Sequence, residues 1–315
     1  MRILVLGAGA TGGYFGGRLL EAKQDVSFLV RPARALALAR EGLLIRSRFG
    51  DCHFPQPSVL VASDLRETFD LIVLSCKAYG LEDATVSIRP AVGPQTAILP
   101  LLNGMRHLDD LDQAFGRERV LGGLCAIAAT LNVQGEIIHL NDVHSVSFGE
   151  RDGSLSARVQ AIAAAMQGAR FNARATTRIL PAMWEKWVFL AALAAGTSLL
   201  RASVGDIVAA PGGAEFVLGV FEECRAIAAA AGFPVREEFV ERTRATLTEP
   251  GSPFTASMLR DIEANAPIEA EHIVGDLIRR SAGLGPPLLG LAYTHLKAYE
   301  ARRGRTRAGA AITTP

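Results

Sequence analysis

A glycine pattern near the first residue constrains the fold more than any other feature of this chain. The pattern G-x-G-x-x-G occupies residues 7–12, between an aliphatic run, Ile3–Leu6, and a helical pattern, Gly12–Lys23. Its first glycine permits a tight turn, its second lets the backbone approach a ligand closely, and its third allows the helix to pack against the strand. The pattern therefore predicts a β-α-β unit, whose crossover is right-handed.

The same glycine pattern predicts a dinucleotide site. A helix N-terminus offers unpaired backbone N–H groups to phosphates, and a strand before the motif with a helix after it is the setting in which the motif binds a pyrophosphate. A glycine-rich turn without a ligand is the alternative. We expect the cofactor to contact all six residues of the motif, namely Gly7, Ala8, Gly9, Ala10, Thr11 and Gly12.

The residues after the second predicted strand indicate which dinucleotide is bound. Proteins that bind NAD usually place an Asp or Glu there, which holds the ribose 2′-hydroxyl. Here the run Val26–Val30 is followed by Arg31, and Arg34 comes three residues later. Because a guanidinium pairs well with a 2′-phosphate, Arg31 favours NADP (NADPH) as the cofactor. The alternative, a solvated surface arginine, fits Arg34.

Further apolar runs place the first half of the chain in the α/β class. Leu71–Leu74 and Ala97–Leu102 are continuous aliphatic segments, typical of parallel strands that helices cover on both faces. Together with the first two runs they predict an N-terminal Rossmann-type, doubly wound sheet.

Closer-spaced strands follow from Val120 onward. Ile137–Leu140 and Ser145–Gly149 flank the residues "NDVH", a turn-rich connection that predicts a hairpin. A helix over Leu155–Gln167 and a short strand over Phe171–Thr176 are expected to complete this domain.

The second half of the chain is helical in pattern. A length of 315 residues suggests two domains at about 150 residues each. After Pro181, segments rich in Ala, Leu, Glu and Arg are separated by short Gly- and Pro-containing breaks. We therefore predict an NADP-binding Rossmann-type domain over 1–178 and a C-terminal all-helical substrate and catalytic domain over 179–300. Residues 301–315 have few apolar groups to bury and are expected to form a flexible tail.

Composition excludes several classes of function. A net charge of +1 gives no reason to expect a nucleic acid or membrane-surface partner. The four cysteines form no C-x-x-C pair, which favours a cytoplasmic location, and the six histidines lack metal-ligand spacing, so no metal is expected. The run Trp187–Leu200 carries no charge over fourteen residues. It is shorter than the roughly 20 residues of a membrane span and predicts a core helix.

Two polar residues stand where strands of the predicted sheet end. Lys77 in "CKAYG" and Asn103 in "LNGM" follow the third and fourth aliphatic runs, and open α/β sheets bind ligands at that edge. A surface lysine and a plain turn asparagine are the alternatives.

These segments belong to a larger resemblance. The chain resembles the ketopantoate reductase (2-dehydropantoate 2-reductase) family in "ILVLGAGATGGYFGGRL", "FLVR", "CKAYG", "LNGM", "WEKWVF" and "SMLRDIEANAPIEAEHIVGDLIRR". These stretches and a terminal "YE" extend over residues 3–300 in the family's order. The resemblance implies NADPH-dependent reduction of a small 2-oxo acid, ketopantoate to pantoate in pantothenate biosynthesis. The substrate would bind in a cleft between the two domains. An apolar surface on the helical domain would allow a homodimer.

The resemblance also assigns roles to residues of this chain. It implies that Lys186 is the catalytic proton donor and Glu269 an active-site partner, and that Ser257 binds the substrate. Asn103 would contact both cofactor and substrate, and the remaining cofactor contacts would come from Lys77 and Ala128. A lysine at the end of a core helix that extends its amine to solvent is the alternative for Lys186.

The chain departs from the family pattern after the lysine. The family places substrate-holding asparagines four and eight residues further on, one and two helical turns away. This chain has Leu190 and Ala194 there, which predicts an altered substrate pocket because such amides discriminate strongly for a hydroxyl. Thr197 and Ser198 are candidates for replacement donors, and ordinary hydroxyls near a helix end are the alternative.

Overall fold

The computed structural model describes residues 1–312, and the chain divides into two compact units. The first unit comprises Met1–Leu102 and His107–Leu180, and the second comprises Asn103–Arg106 together with the chain from Pro181 onward. The first unit ends at Leu180, two residues after the domain boundary that the sequence predicts at residue 178. The inclusion of Asn103–Arg106 in the second unit has no counterpart in the sequence pattern.

The strands belong to the first unit. In chain order they are β1 (Arg2–Leu6), β2 (Asp25–Leu29), β3 (Leu43–Arg46), β4 (Cys52–Phe54), β5 (Ser58–Leu60), β6 (Phe69–Leu74), β7 (Val92–Pro100), β8 (Gly122–Leu131), β9 (Ile137–Gly149) and β10 (Asn172–Ala175). The helices that accompany them are α1 (Ala10–Glu21), α2 (Pro32–Glu41), α3 (Leu81–Ile88), α4 (Arg106–Phe115) and α5 (Ala157–Met166).

The predicted Rossmann-type sheet is confirmed. Five parallel strands lie in the order β5-β2-β1-β6-β7, with Leu4 paired to Ser27 on one side and to Ile72 on the other. The central strands are buried on both faces, as their unbroken aliphatic sequences predict. β1 and β6 therefore bring the glycine turn and the segment after Leu74 to the same edge of the sheet.

The second sheet of this unit corrects one prediction. It runs β10-β9-β3-β4, with β8 paired antiparallel to β9. The residues "NDVH" are not a turn, because β9 continues through them from Ile137 to Gly149. Asn141 and Asp142 lie where the pairing with β8 shifts register, between the paired residues His139 and His144. The hairpin turn lies instead at residues 132–136. There the Asn132 side chain accepts hydrogen bonds from the backbone of Gln134 and Glu136.

The second unit is helical, as predicted. Its elements are α6 (Ile179–Leu200), α7 (Val204–Ala209), α8 (Gly213–Ala230), α9 (Glu237–Leu247), α10 (Ser257–Glu263), a π-helical turn (Glu271–Gly275), α11 (Asp276–Arg279) and α12 (Pro287–Ile312). α6 is long and apolar enough to cross a membrane by length and composition, but most of it is buried inside the protein. It is therefore a core helix.

The last helix extends into the segment for which a flexible tail was expected. α12 continues from Pro287 to Ile312, so residues 301–312 are helical. The middle of the helix is anchored. Tyr299 donates a hydrogen bond to the Ala266 carbonyl at 2.8 Å, and Arg303 donates one to the Asn265 carbonyl at 2.8 Å. Residues 313–315 of the expected tail lie outside the described residues.

Candidate active site

The glycine turn has the geometry that a dinucleotide requires. β1 ends at Leu6, Gly7 takes a φ of +95°, and α1 begins at Ala10 without a side-chain cap at Gly9. A Cβ on Gly12 would overlap the Gly7 carbonyl oxygen, whereas a Cβ on Gly9 would meet nothing within 4 Å. The first turn of α1 is therefore tightly packed at Gly12 and open at Gly9. At the open side the N–H groups of the helix start can receive a phosphate.

Two arginines near this turn have different surroundings. Arg31 follows β2 with its side chain 81% exposed and its guanidinium 3.7 Å from the Asp83 carboxylate. Arg34 is half-buried, and it donates hydrogen bonds to the carbonyls of Ala8 at 3.1 Å and Gly135 at 3.2 Å. The interpretation of Arg34 as a solvated surface residue is therefore wrong. Its side chain ties the glycine turn to the β8–β9 hairpin.

Two other residues predicted to contact the cofactor, Lys77 and Ala128, lie on separate segments of the first unit. Lys77 is exposed and follows β6, directly before a short 3-10 turn at Ala78–Gly80. Ala128 lies on β8 where the pairing with β9 shifts register, and its N–H donates to the Asn141 Oδ1 at 3.1 Å. Lys77 is thus at the ligand-binding edge of the sheet, as its place after a strand predicts.

In the second unit, Lys186 lies half-buried on α6 between two anchored neighbours. Glu185 accepts hydrogen bonds from the Arg236 side chain at 2.7 and 2.6 Å. Trp187 donates its indole N–H to the Ile273 carbonyl at 2.9 Å. The side chains on both sides of Lys186 are consequently held by groups from other elements of this unit.

Glu185 was not predicted from the sequence, although it is adjacent to the lysine in "WEKW". Its carboxylate is buried, and burial alone would raise its pKa, but the hydrogen bonds and charge of Arg236 hold the pKa below its ordinary value. Glu185 therefore remains ionised and paired at neutral pH. A buried charge of this kind is retained only with a partner, so the pair fastens the start of α6 to the start of α9.

The π-helical turn follows Glu269 and contacts the Asn103 segment. Glu269 is buried two residues before the turn begins. His272, within the turn, is buried and makes a hydrogen bond with the Asn103 backbone, and burial is the main cause that lowers the His272 pKa to about 4. His272 is therefore neutral at physiological pH. π-helical turns of this kind often occur at functional sites.

Gly104 explains how the Asn103 segment approaches this turn. Its φ is +79°, in the left-handed region that favours glycine, and a Cβ there would lie 2.9 Å from the His272 carbonyl oxygen. Any other residue would be strained by both the backbone and the contact. The glycine of "LNGM" thus lets Asn103 lie against the π-helical turn, within the same unit as Lys186 and Glu269.

The hydroxyl groups of the second unit have distinct environments. Ser257 is the first residue of α10 and is exposed, which leaves its hydroxyl available to a ligand. Thr197 is fully buried, donates to the Leu193 carbonyl at 2.7 Å and accepts from the Ala256 N–H at 3.4 Å. Ser198 is also fully buried, and its hydroxyl has no hydrogen-bond partner in the part of the chain that the structure describes. Burial favours the alternative interpretation of Thr197 and Ser198 as structural hydroxyls rather than substrate donors.

The two positions that depart from the family pattern give α6 an apolar surface beyond the lysine. Leu190 is half-buried and Ala194 is buried. Beside them the ring of Phe189 stacks with that of Phe254, with centroids 6.2 Å apart. This part of α6 offers hydrocarbon where the family's asparagines would offer amides.

Comparison with known proteins identifies the family. The family models described as "Ketopantoate reductase PanE/ApbA" and "Ketopantoate reductase PanE/ApbA C terminal" match residues 3–153 and 178–300. A relative from Bacillus subtilis, "Uncharacterized oxidoreductase YkpB", is 36% identical over 305 residues, which cover 96% of this chain and 100% of the relative.

Solved structures agree with these matches. The structure of 2-dehydropantoate 2-reductase from Methylococcus capsulatus is similar, with a TM-score of 0.84 and 33% identity over 96% of this chain and 98% of the other. D-mandelate dehydrogenase, solved with NADH and anilino(oxo)acetate, shares the fold with a TM-score of 0.86 and 21% identity, over 96% and 100% of the two chains. The family consists of oxidoreductases that act on CH–OH groups, and its members bind NAD(P)H. A Rossmann-type unit with an open glycine turn, a helical unit with an anchored Lys186, and these matches over nearly the whole chain lead to one conclusion: this chain belongs to the ketopantoate reductase family.

Proposed function

We propose that this protein is an NADPH-dependent reductase that converts a 2-oxo acid to a 2-hydroxy acid, with Lys186 as the general acid. The observation that carries this proposal is the placement of Lys186, half-buried on α6 and anchored on both sides by the Glu185–Arg236 pair and the Trp187–Ile273 hydrogen bond. Binding alone would not require an anchored lysine in a unit separate from the glycine turn.

The chemistry fits these residue types. The bound dinucleotide would supply a hydride to the keto carbon, and negative charge would then develop on the keto oxygen. The Lys186 ammonium would stabilise that charge and donate its proton to the oxygen, which completes the alcohol. Lys186 would regain a proton from water before the next cycle. Glu269 would orient the lysine, while Asn103 and Ser257 would position the substrate.

The first unit supports NADPH as the cofactor. The open first turn of α1 at residues 7–12 suits a pyrophosphate. Arg31 stands after β2 with an exposed guanidinium, where an NAD-binding protein would carry a carboxylate. Lys77, Asn103 and Ala128 would supply the remaining contacts. In this proposal the protein acts in the cytoplasm, and ketopantoate reduction in pantothenate biosynthesis is the reaction that the family name indicates.

A second candidate differs only in the substrate. Leu190 and Ala194 replace the two amides that the family places after the lysine, and the neighbouring Phe189–Phe254 stack is also apolar. These residues favour a 2-oxo acid with an apolar side chain over ketopantoate, whose hydroxyl would find no amide there.

The decisive test is NADPH oxidation followed at 340 nm with ketopantoate beside a panel of branched and aromatic 2-oxo acids. Turnover of ketopantoate supports the first candidate, and turnover of the apolar acids alone supports the second. Lys186→Ala is the control: we expect it to lower kcat by a factor of at least about 100 while NADPH affinity stays unchanged. A wild-type protein that binds NADPH and reduces none of these acids would refute both candidates and favour a non-catalytic NADP-binding protein.

We also propose that the protein forms a homodimer through its helical unit. Leu284 and Leu291 are large apolar side chains that are exposed on that unit, and pairing would remove them from water. Light scattering on the purified protein should give a mass near twice the 33.5 kDa of one chain. A mass near that of one chain over a range of concentrations would contradict this proposal.

A further inference from the structure

Trp187 makes a contact between the two segments that carry the proposed catalytic pair. Its side chain is 1% exposed, and its indole N–H donates to the Ile273 carbonyl at 2.9 Å across 86 residues of sequence. The Ile273 N–H in turn donates to the Glu269 carbonyl at 3.0 Å. Two consecutive hydrogen bonds therefore run from the residue next to Lys186 to the backbone of Glu269.

The acceptor of the indole N–H lies in an irregular part of the helix. Ile273 belongs to the π-helical turn Glu271–Gly275, where the backbone is wider than in an α-helix. Such a turn is less stable than regular helix, and buried backbone carbonyls in it need donors. A tryptophan from α6 supplies one of those donors, so the shape of the turn depends on a residue of the lysine's own helix.

The surroundings of Trp187 leave its ring little freedom. The Arg280 guanidinium lies 5.8 Å from the ring centroid, and Arg280 is itself paired with Asp276 at 2.9 Å. The Trp184 ring also packs against the Trp187 ring, with the centroids 4.9 Å apart. Asp276 comes directly after the π-helical turn, and Arg280 comes one helical turn later. The Trp187 ring therefore packs on the segment whose Ile273 carbonyl accepts its N–H.

We propose that Trp187 is a positioning residue of the reduction: its indole N–H keeps the π-helical turn, and with it Glu269, in fixed register with Lys186. The proposal rests on the proposed function for the roles of Lys186 and Glu269. Because Trp187 is 1% exposed and its N–H is already bonded to Ile273, it would act through these two residues. A shift of the turn by even 1 Å would move Glu269 relative to the lysine, and displacements of that size can cost up to about 100-fold in rate.

The test compares Trp187→Phe with Trp184→Phe in the full-length protein. Both changes replace one buried indole of α6 by a phenyl ring. Trp184 contacts Trp187 and Phe233 through its ring, and a phenyl ring keeps that packing, whereas Trp187→Phe removes the N–H that bonds to Ile273. We expect Trp187→Phe to lower kcat about tenfold or more, with KM for the oxo acid changed less than about twofold. Trp184→Phe should retain the parent kcat.

Two further measurements do not depend on turnover. The pH midpoint for acetylation of Lys186, followed by mass spectrometry, reports the ionisation of the lysine, and hydrogen exchange of residues 269–278 reports the stability of the turn. We expect Trp187→Phe to shift the midpoint and to speed exchange in that segment, and Trp184→Phe to do neither. If the parent protein reduces no 2-oxo acid, the proposed function fails, while these two measurements still decide whether Trp187 positions the turn and the lysine.

The proposal is overturned if Trp187→Phe matches Trp184→Phe in kcat, in the Lys186 midpoint and in exchange. Should Trp187→Phe fail to fold, a gentler change can be made in the Trp184→Phe variant. The sequence has two tryptophans, so Trp187 is the only one left in that variant. Biosynthetic replacement of that tryptophan by benzothienylalanine substitutes sulfur for the N–H with little change in shape. Unchanged kcat, midpoint and exchange in the sulfur analogue would equally overturn the proposal.

Discussion

His272 should make the stability of the helical unit fall as the pH falls from 7 to 4. Burial lowers its pKa to about 4, assisted by the positive charges of Arg106 and Arg279, while Asp276 and the hydrogen bond to the Asn103 backbone oppose the shift only in part. The folded protein therefore favours the neutral imidazole. In the unfolded chain the pKa returns to about 6.5.

The magnitude follows from the two pKa values of His272. Because the folded value lies below the unfolded one, the unfolded state takes up the proton first as the pH drops, and the stability that is present above about pH 6.5 is lost. The loss from this one residue is about 2 kcal/mol at pH 5 and about 3 kcal/mol below pH 4, at 1.36 kcal/mol for each pKa unit.

The perturbation is His272→Gln, which keeps a polar amide near the Asn103 backbone and removes the titration. Urea unfolding at pH 7.5 and pH 5.0, followed by tryptophan fluorescence, reports the second unit, since both tryptophans lie on α6 within it. The variant should be less stable than the parent at pH 7.5, but it should lose about 2 kcal/mol less than the parent between the two pH values. An equal loss in both proteins would refute the assignment of a buried neutral imidazole.

Three other changes test separate features of the site. Gly104→Ala should lower the free energy of unfolding by about 1–3 kcal/mol in urea titrations, because the φ of +79° strains any side chain and the new Cβ would press on His272; an unchanged value would contradict the close approach. Arg236→Gln should cost about 2 kcal/mol at pH 7, somewhat less than for a fully buried pair because the Arg236 side chain is 58% exposed. Since the pKa of Glu185 is lowered in the fold, the stability from this pair is present at neutral pH and is lost as the pH falls below the ordinary carboxyl range, so parent and variant should converge in acid. Arg31→Ser should raise KM for NADPH about tenfold, equivalent to about 1.4 kcal/mol, and leave KM for NADH within about twofold; equal effects on the two cofactors would show that Arg31 does not select the 2′-phosphate.

Several features of this protein could be predicted from the sequence because their causes are local. A strand, a glycine turn and a helix succeed one another within residues 2–21, and the backbone freedom of Gly7 is a property of that residue alone. The unbroken aliphatic runs predicted the parallel sheet, since only strands covered on both faces are apolar throughout. The assignment of Lys186 came from the family resemblance of "WEKWVF" and remains a prediction.

Other features depended on partners distant in sequence. The residues "NDVH" have the composition of a turn, yet they lie inside β9 at a register shift, because the ladder to β8 on both sides of them, at His139 and His144, outweighs local preference. Arginine is usually a surface residue, but hydrogen bonds to the carbonyls of Ala8 and Gly135 hold Arg34 in a half-buried position. No local pattern could have indicated either outcome.

The amino-acid sequence by itself determined the class of fold, the glycine turn after the first strand and the chemical identity of the residues near the proposed acid. Only the tertiary structure decided how those residues are held: Glu185 by Arg236, Trp187 by the carbonyl of Ile273, and Asn103 by His272. The physical reason is that a turn or a helix start is governed by neighbouring dihedral angles. A buried hydrogen bond or ion pair, by contrast, exists only where folding removes two distant polar groups from water together.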